Sequence, residues 1–392
     1  MSFLSRLFRI PEPYEPPETR DWSIADPFAA HLFGGGPALS GVSVTEQSAM
    51  GLSAVYRCVQ LLSGTIATLP LRTVHTDADG TTRRVSSWLD NPAGPDGPTA
   101  HEFIEGLMVA LLLRGNFHAL KVFNGAGVLH SLQPLPSQCV GIDIKNGRKV
   151  YRVQLENGTS KELTDREILH IPGLSLDGVR GVSPISIARQ SLGTAIAGER
   201  SAGRLFHNGA LMSAIVTPTE DLTSDEAEVV RDTLDRVVGG ERNAGSMAVF
   251  SKALNVSQWS VDPVNAQFLE SRKFSTSEVA RWFGVPPHLI GDVERSTSWG
   301  SGITEQTLAF QKFTLQQWTS RIEARLSRLF DGSRKVEFDF RQLFAGTPDQ
   351  EIELLMKQTG NQPILTVDEA RQILNRPAMP QVSQELPEGD DA

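Results

Sequence analysis

Between Ala266 and Gln306 the chain reads AQFLESRKFSTSEVARWFGVPPHLIGDVERSTSWGSGITEQ: a helical pattern, Pro286-Pro287, a polar glycine-bearing loop, then a second helical pattern. Proline has no amide to continue a helix and restricts the residue before it, so two in succession end the first rod abruptly. Ala266, Leu269, Thr276, Ala280 and Phe283 mark the inner face of that rod. The span 264–283 would reach about 30 Å. Ile303, Phe310, Phe313, Trp318, Ile322, Leu326 and Leu329 give the second rod, about 303–330, one apolar stripe. This order makes a mobile finger held between two stiff rods, and the finger contains no catalytic constellation. A device that grips or guides a polymer needs such a part.

The rest of the chain reads as an α+β protein with a discontinuous body. Residues 1–40 carry PEPYEPPE and Gly34-Gly35-Gly36, a stretch that cannot build a core. A poorly ordered tail and an arm grasping a neighbour both fit it. Ordered structure is expected from near Leu52, where Val55, Val59, Leu62, Ile66 and Leu69 recur at helical spacing up to Pro70. A strand follows at Leu71–His75, and Thr99 with Glu102 forms a capping box for a helix through Leu113. A β-meander is expected over Asn116–Phe123, Val128–Gln133, Gln138–Ile144, Lys149–Leu155 and Ser160–Leu163, closed by Ile168–Ile171. Asn124-Gly125, Asn146-Gly147 and Asn157-Gly158 supply its turns.

Ser183-Pro184 opens a helix to about His207, whose Gly193, Gly198 and Gly203 point to close approach by another helix. A small αβ insert spans 211–263, with strands at Leu211–Thr217, Met247–Ser251 and Val256–Val261 and a helix capped by Thr223. After the second rod come a strand at Lys335–Phe340, a helical segment at about 348–376 and an acidic tail expected to be disordered.

Composition and motif searches exclude much. Hydrophobic content of 40% and charged content of 21% fit a folded protein. A net charge of −9 argues against a basic surface that clamps nucleic acid, while leaving room for one that lets DNA slide past. Cys58 and Cys139 read as buried apolar residues rather than a disulfide. No apolar run reaches membrane-spanning length, and MSFLSRLFRI lacks the hydrophobic segment of a secretory signal, so assembly in the cytosol is expected.

Gly240–Ser246 lacks the lysine of a phosphate loop, and Gly181-Val-Ser183 lacks the second glycine of a nucleophile elbow. The eight histidines are scattered, so no metal site is expected, and His170 reads as a hydrogen-bonded core residue. No enzyme and no cofactor are expected.

Ser53-Ala-Val-Tyr-Arg-Cys-Val59 leading to Ile66-Ala-Thr-Leu-Pro-Leu71 resembles the opening helix and strand of tailed-phage portal proteins of the Hong Kong ninety-seven type, a group that includes those of gene transfer agents. Leu111-Leu-Leu-Arg-Gly-Asn116, Ile168–Ile171, Asp177-Gly-Val-Arg-Gly-Val-Ser-Pro184 and Phe206–Ala210 resemble the same family. The strongest match joins Gln267–Lys273, Phe283-Gly-Val-Pro-Pro-His-Leu-Ile-Gly-Asp292 and Trp299-Gly300.

The resemblance implies a homo-dodecameric ring at one capsid vertex, threaded by double-stranded DNA. Its partners would be the major capsid protein, the terminase motor and a head-tail adaptor. On that template 1–44 is the arm, and 45–180 with 303–345 the wing. Residues 181–210 and 264–284 are the stem, 211–263 the clip, 285–302 the tunnel loop, 346–380 a small crown and 381–392 the tail. Asp292, Glu294, Arg295, Ser296, Thr297, Ser298 and Trp299 would face DNA, with Gly284, Pro286, Pro287, Gly291 and Gly300 as hinges. Glu270, Arg272, Lys273, Glu278 and Arg281 would either join subunits along the stem or form a solvated face. The alternatives are another virion structural protein, such as a neck adaptor, or a DNA-packaging enzyme.

Overall fold

The structure, a computed structural model, describes residues 38–155, 158–207, 214–218, 223, 228, 254–258, 276–292, 301–341, 348–360, 365–373 and 376–379. The chain divides into two compact units, Met1–Phe338 and Asp339–Ala392.

In the first unit, helix α1 (Glu46–Met50) leads into α2 (Ser53–Thr68), which buries Val55, Val59, Leu62 and Ile66 and stops before Pro70 as expected. Order begins earlier than expected, because Ala38 and Val42 are buried. Strand β1 (Leu71–Thr76) pairs with β2 (Thr82–Val85), and helix α3 (Ala100–Arg114) follows. The capping box of α3 forms as read: the Thr99 amide donates to Glu102 Oε2 at 2.8 Å, and the Glu102 amide donates back to Thr99 Oγ1 at 3.3 Å.

The expected single meander is two sheets. Strands β3 (Asn116–Phe123), β4 (Leu129–Leu135) and β8 (Ile168–Pro172) form one, in the order β4-β3-β8. Strands β5 (Val140–Lys145), β6 (Arg148–Gln154) and β7 (Ser160–Thr164) form the other. Pro136 and a 3-10 turn at Ser137–Cys139 break the chain between them, so Cys139 lies in the turn and not in a strand. The four buried residues Ile168 to Ile171 return β8 to the centre, against β3. Asn146 and Gly147 both take positive φ, 51° and 73°, as a tight hairpin demands. At the first turn the left-handed residue is Gly127, not Gly125, and Asn124 Oδ1 accepts the amides of Ala126 and Val128 instead.

Ser183 caps α4 (Pro184–Ile187), but the rod breaks at Ala188, where ψ is 5°, before α5 (Arg189–His207) begins. Of the expected insert, β9 (Ala214–Pro218) and β10 (Leu254–Gln258) pair antiparallel; Met247–Ser251 lies outside the described residues. Residues 276–283 form helix α6.

The second expected rod is α7 (Ser301–Phe310), a π-turn (Gln311–Leu315) and α8 (Gln316–Ser327). The π-turn inserts a residue and rotates the stripe. Leu315 is thereby fully buried while Phe313, expected inside, is 63% exposed. Strand β11 (Arg334–Phe338) then pairs with β1, Leu71 opposite Phe338, and returns the chain to the body it left at residue 180. Glu323 and Ser327 of α8 accept the amides of Phe338 and Val336, fixing that strand to the helix.

In the second unit, the expected single helical segment is two helices, α9 (Pro348–Gln358) and α10 (Val367–Ile373). Thr366 and Glu369 form the capping box of α10.

Candidate functional site

The loop between the rods starts from a rigid corner. Gly284 ends α6 in a left-handed conformation, φ 67°. Its amide donates to Arg281 O, and the Val285 amide donates to Ala280 O at 2.9 Å. That pair of bonds satisfies the last carbonyls of the helix. Thr314, in the π-turn, donates its hydroxyl to Gly284 O at 2.7 Å. Pro286 and Pro287 start a 3-10 turn, Pro287–Ile290, closed by a second left-handed glycine, Gly291, φ 90°. There the Asp292 amide donates to Pro287 O at 3.0 Å, and its carboxylate accepts from Ser277 Oγ at 2.6 Å.

Gly284, Pro286, Pro287 and Gly291, expected as hinges, form the corners at the base of the loop: each glycine holds a cap, and the prolines hold φ. Asp292, expected at the tip, anchors the base to α6. Glu294, Arg295, Ser296, Thr297, Ser298, Trp299 and Gly300 lie outside the described residues, as do Glu270, Arg272 and Lys273. Glu278 accepts from Ser191 Oγ at 3.0 Å, tying α6 to α5 within the chain, and Arg281 is exposed.

Helix α4 leaves the body through a knot of three glycines. The Gly173 amide donates to Gly115 O at 2.7 Å. A Cβ on Gly181 would lie 1.8 Å from Gly115 O, and one on Gly115 would lie 2.3 Å from Val182 O. No side chain fits at either position. Asn116 closes the knot: its Oδ1 accepts the Gly181 amide and its Nδ2 donates to Gly181 O, both at 2.7 Å. Asp177 Oδ1 accepts the amides of Val179 and Arg180 at 2.7 and 2.8 Å, and the Arg180 guanidinium donates to Ile142 O. Ser183 Oγ reaches Leu113 O. The segments Leu111–Asn116 and Asp177–Pro184 thus act as one architectural clamp. The sequence signal was present in their glycines, Asn116 and Ser183, but nothing local said that they meet.

Gly193 is also explained differently from expectation. A Cβ there would come within 2.4 Å of Ala38 Cβ, so its close neighbour is the end of the N-terminal arm and not another helix.

Behind the clamp lies a polar core. His170 Nε2 lies 3.0 Å from Asn116 Oδ1, an oxygen fixed as acceptor by Gly181, so that nitrogen carries the proton. His170 stacks on His118 with ring centroids 4.7 Å apart, and Tyr151 donates to Asp165 at 2.7 Å. Burial pushes His118 down to about 4, and burial followed by the charge of its neighbours lowers His170 further. Both are neutral core residues at pH 7. Cys58 and Cys139 are buried thiols, with Cys58 pushed up by burial to about 12, so neither is a reactive nucleophile at neutral pH. Among the described residues no cluster could hold a metal ion, and no helix is long and apolar enough to cross a membrane.

Comparison with known proteins covers the whole of this region. Residues 53–375 match the family model for phage portal protein. The chain is 37% identical over 374 residues to the probable portal protein of Streptomyces phage phiC31, covering 90% of this chain and 80% of that one. It is 34% identical over 367 residues to the portal protein of Enterobacteria phage HK97, covering 90% and 84%. Among solved structures, it is similar to an HK97-family phage portal protein from Corynebacterium diphtheriae, with a TM-score of 0.60 at 22% identity, covering 78% of this chain and 100% of that one. A chain in the neck of a native gene transfer agent particle, computed with twelvefold symmetry, gives 0.57 at 23% identity over 90% of this chain and 99% of that one.

Proposed function

This chain belongs to the phage portal protein family, and from that premise we propose that twelve copies close into a ring at one capsid vertex. The ring is the channel through which double-stranded DNA enters during packaging and leaves during ejection. It docks the terminase motor first and the head-tail connector afterwards. It assembles in the host cytoplasm, performs no chemistry of its own, and needs no cofactor. The length of the matches to curated portal proteins disfavours a neck adaptor or a packaging enzyme.

The observation that carries the reading is the rigid corner at Gly284. A loop that meets a moving duplex transmits force to its base. Here that base is held by two helix-stop motifs, the Thr314 hydroxyl and the Asp292–Ser277 bond. On this reading 285–302 is the tunnel loop, α5 and α6 belong to the stem, β9 and β10 to the clip, α9 and α10 to the crown, and the sheets with α7 and α8 to the wing. Glu294 to Trp299 form the DNA-facing tip, while Glu270, Arg272 and Lys273 meet the adjacent subunit. The net charge of −9 per chain suits a conduit, because each added phosphate contact would strengthen binding and slow passage.

Native mass spectrometry and negative-stain images of the purified protein test the proposal. Closed rings of twelve are expected, and a monomer at every concentration would overturn it.

A further inference from the structure

Beside the Gly284 corner a groove of about 420 Å³ opens, lined by Leu174, Trp282, Phe313 and Trp318 together with Arg281 and Arg321. Leu174, Trp282 and Phe313 are 58%, 42% and 63% exposed, an apolar surface of a kind that marks an interaction site.

Two observations say what covers it. The first is a tether. Ile187 also lines the groove, and Gln190, three residues on, accepts the amide of Leu39 at 2.9 Å. The N-terminal arm therefore joins the body close to the groove. An extended chain reaches about 3.3 Å per residue, so the stretch between Glu18 and Ala38 has a reach of about 60 Å. The second is complementary chemistry. Residues 11–18 read PEPYEPPE, four prolines with Tyr14 and three glutamates. Prolines fix φ and favour an extended helix that loses little entropy on docking into an aromatic groove. Glutamates between them match guanidinium forks.

We propose that the Pro-Glu segment 11–18 of this polypeptide occupies the groove and straps the arm over the base of the loop. Pro13 and Pro16 pack on Trp282 and Phe313, and Glu12 and Glu15 face Arg281 and Arg321. This goes beyond the ring function and does not depend on it.

The test uses full-length protein carrying Y14C and Q317C, which leaves the Trp282 and Phe313 rings in place, with Cys58 and Cys139 buried as a low background. A short bismaleimide should cross-link most of the chains, within or between subunits. Arg281→Glu should cut the yield at least fivefold; Arg321 is kept because it donates to Gly173 O. A synthetic peptide of residues 8–20 should bind protein lacking 1–20, and should bind the Arg281→Glu form at least fivefold more weakly. Rapid maleimide labelling of both thiols without cross-linking overturns the proposal. So does a groove thiol that stays protected after residues 1–20 are removed, because a second copy's body would then fill the groove.

Discussion

Replacing Gly284 by alanine tests the rigid corner directly. Gly284 sits at φ 67°, where an L-residue costs about 1–2 kcal/mol relative to glycine. An added Cβ would lie 3.3 Å from Thr314 Oγ1, tight enough to displace the hydroxyl from its 2.7 Å bond to Gly284 O. Losing that bond costs about 1 kcal/mol more. Restricting the unfolded chain returns about 0.4–1 kcal/mol. The net loss is therefore about 1–2.6 kcal/mol, a fall of a few degrees in Tm for a unit of this size. Gly64 is the control: it lies in α2 with open space around it, so Gly64→Ala should stabilise by about 0.5–1 kcal/mol.

Urea melts at one fixed protein concentration give the global change, and hydrogen exchange at the Val285 amide gives the local one. Gly284→Asn should fall between wild type and alanine, because asparagine tolerates the left-handed region. Thr314→Ala combined with Gly284→Ala should cost less than the sum of the two, since both act on one bond. Unchanged exchange at Val285 together with a wild-type melt in Gly284→Ala would refute the reasoning.

Gly181→Ala, whose Cβ would lie 1.8 Å from Gly115 O, should cost more than about 4 kcal/mol and leave little soluble protein, read as expression yield and melting temperature. Asn116→Ala leaves the Gly181 amide and carbonyl without their partners and should destabilise by about 2–4 kcal/mol in a urea melt. Because His118 is held below its unfolded value near 6.5, the unfolded chain binds more protons between about pH 6.5 and 4. Stability is then complete above pH 6.5 and falls as the pH drops through that window. Among the described residues neither nitrogen of His118 meets a partner, so His118→Phe should make this acid limb shallower in pH-dependent melts, the remainder being carried by His170, while leaving stability at pH 7 nearly unchanged. Deleting 294–299 while keeping Asp292 should leave rings intact and lower the DNA content of particles, measured as genome copies per particle.

Local signals in the sequence were reliable where one segment determines its own structure. The Thr99 capping box, the Ser183 cap and the Asn146-Gly147 turn all formed as read. The misreadings came from contacts between distant segments. The return of β8 to β3 depends on pairing across more than 40 intervening residues, and no local period encodes it. The glycine knot joins residues 115, 173 and 181, which are unremarkable separately.

Gly193 was correctly read as a site of close approach, but the approaching partner, Ala38, belonged to a segment read as unable to fold. The π-turn did leave a trace: the buried stripe steps five residues from Phe310 to Leu315, where an α-helix steps three or four. Of the candidate site, the corner prolines and glycines were legible as the points where the chain turns, but the Thr314 hydroxyl that reaches Gly284 O comes from 30 residues away and no local pattern announces it.

The central claim is that this chain forms a passive annulus around DNA, with the loop beyond Gly284 turned towards the bore. Cryo-electron microscopy of the particle vertex, reconstructed without imposed symmetry, measures this most directly. The account predicts twelve copies around an open pore holding a duplex, with residues 293–300 lining its narrowest part. A closed assembly, another copy number, or 293–300 on the outer surface away from the duplex would contradict it.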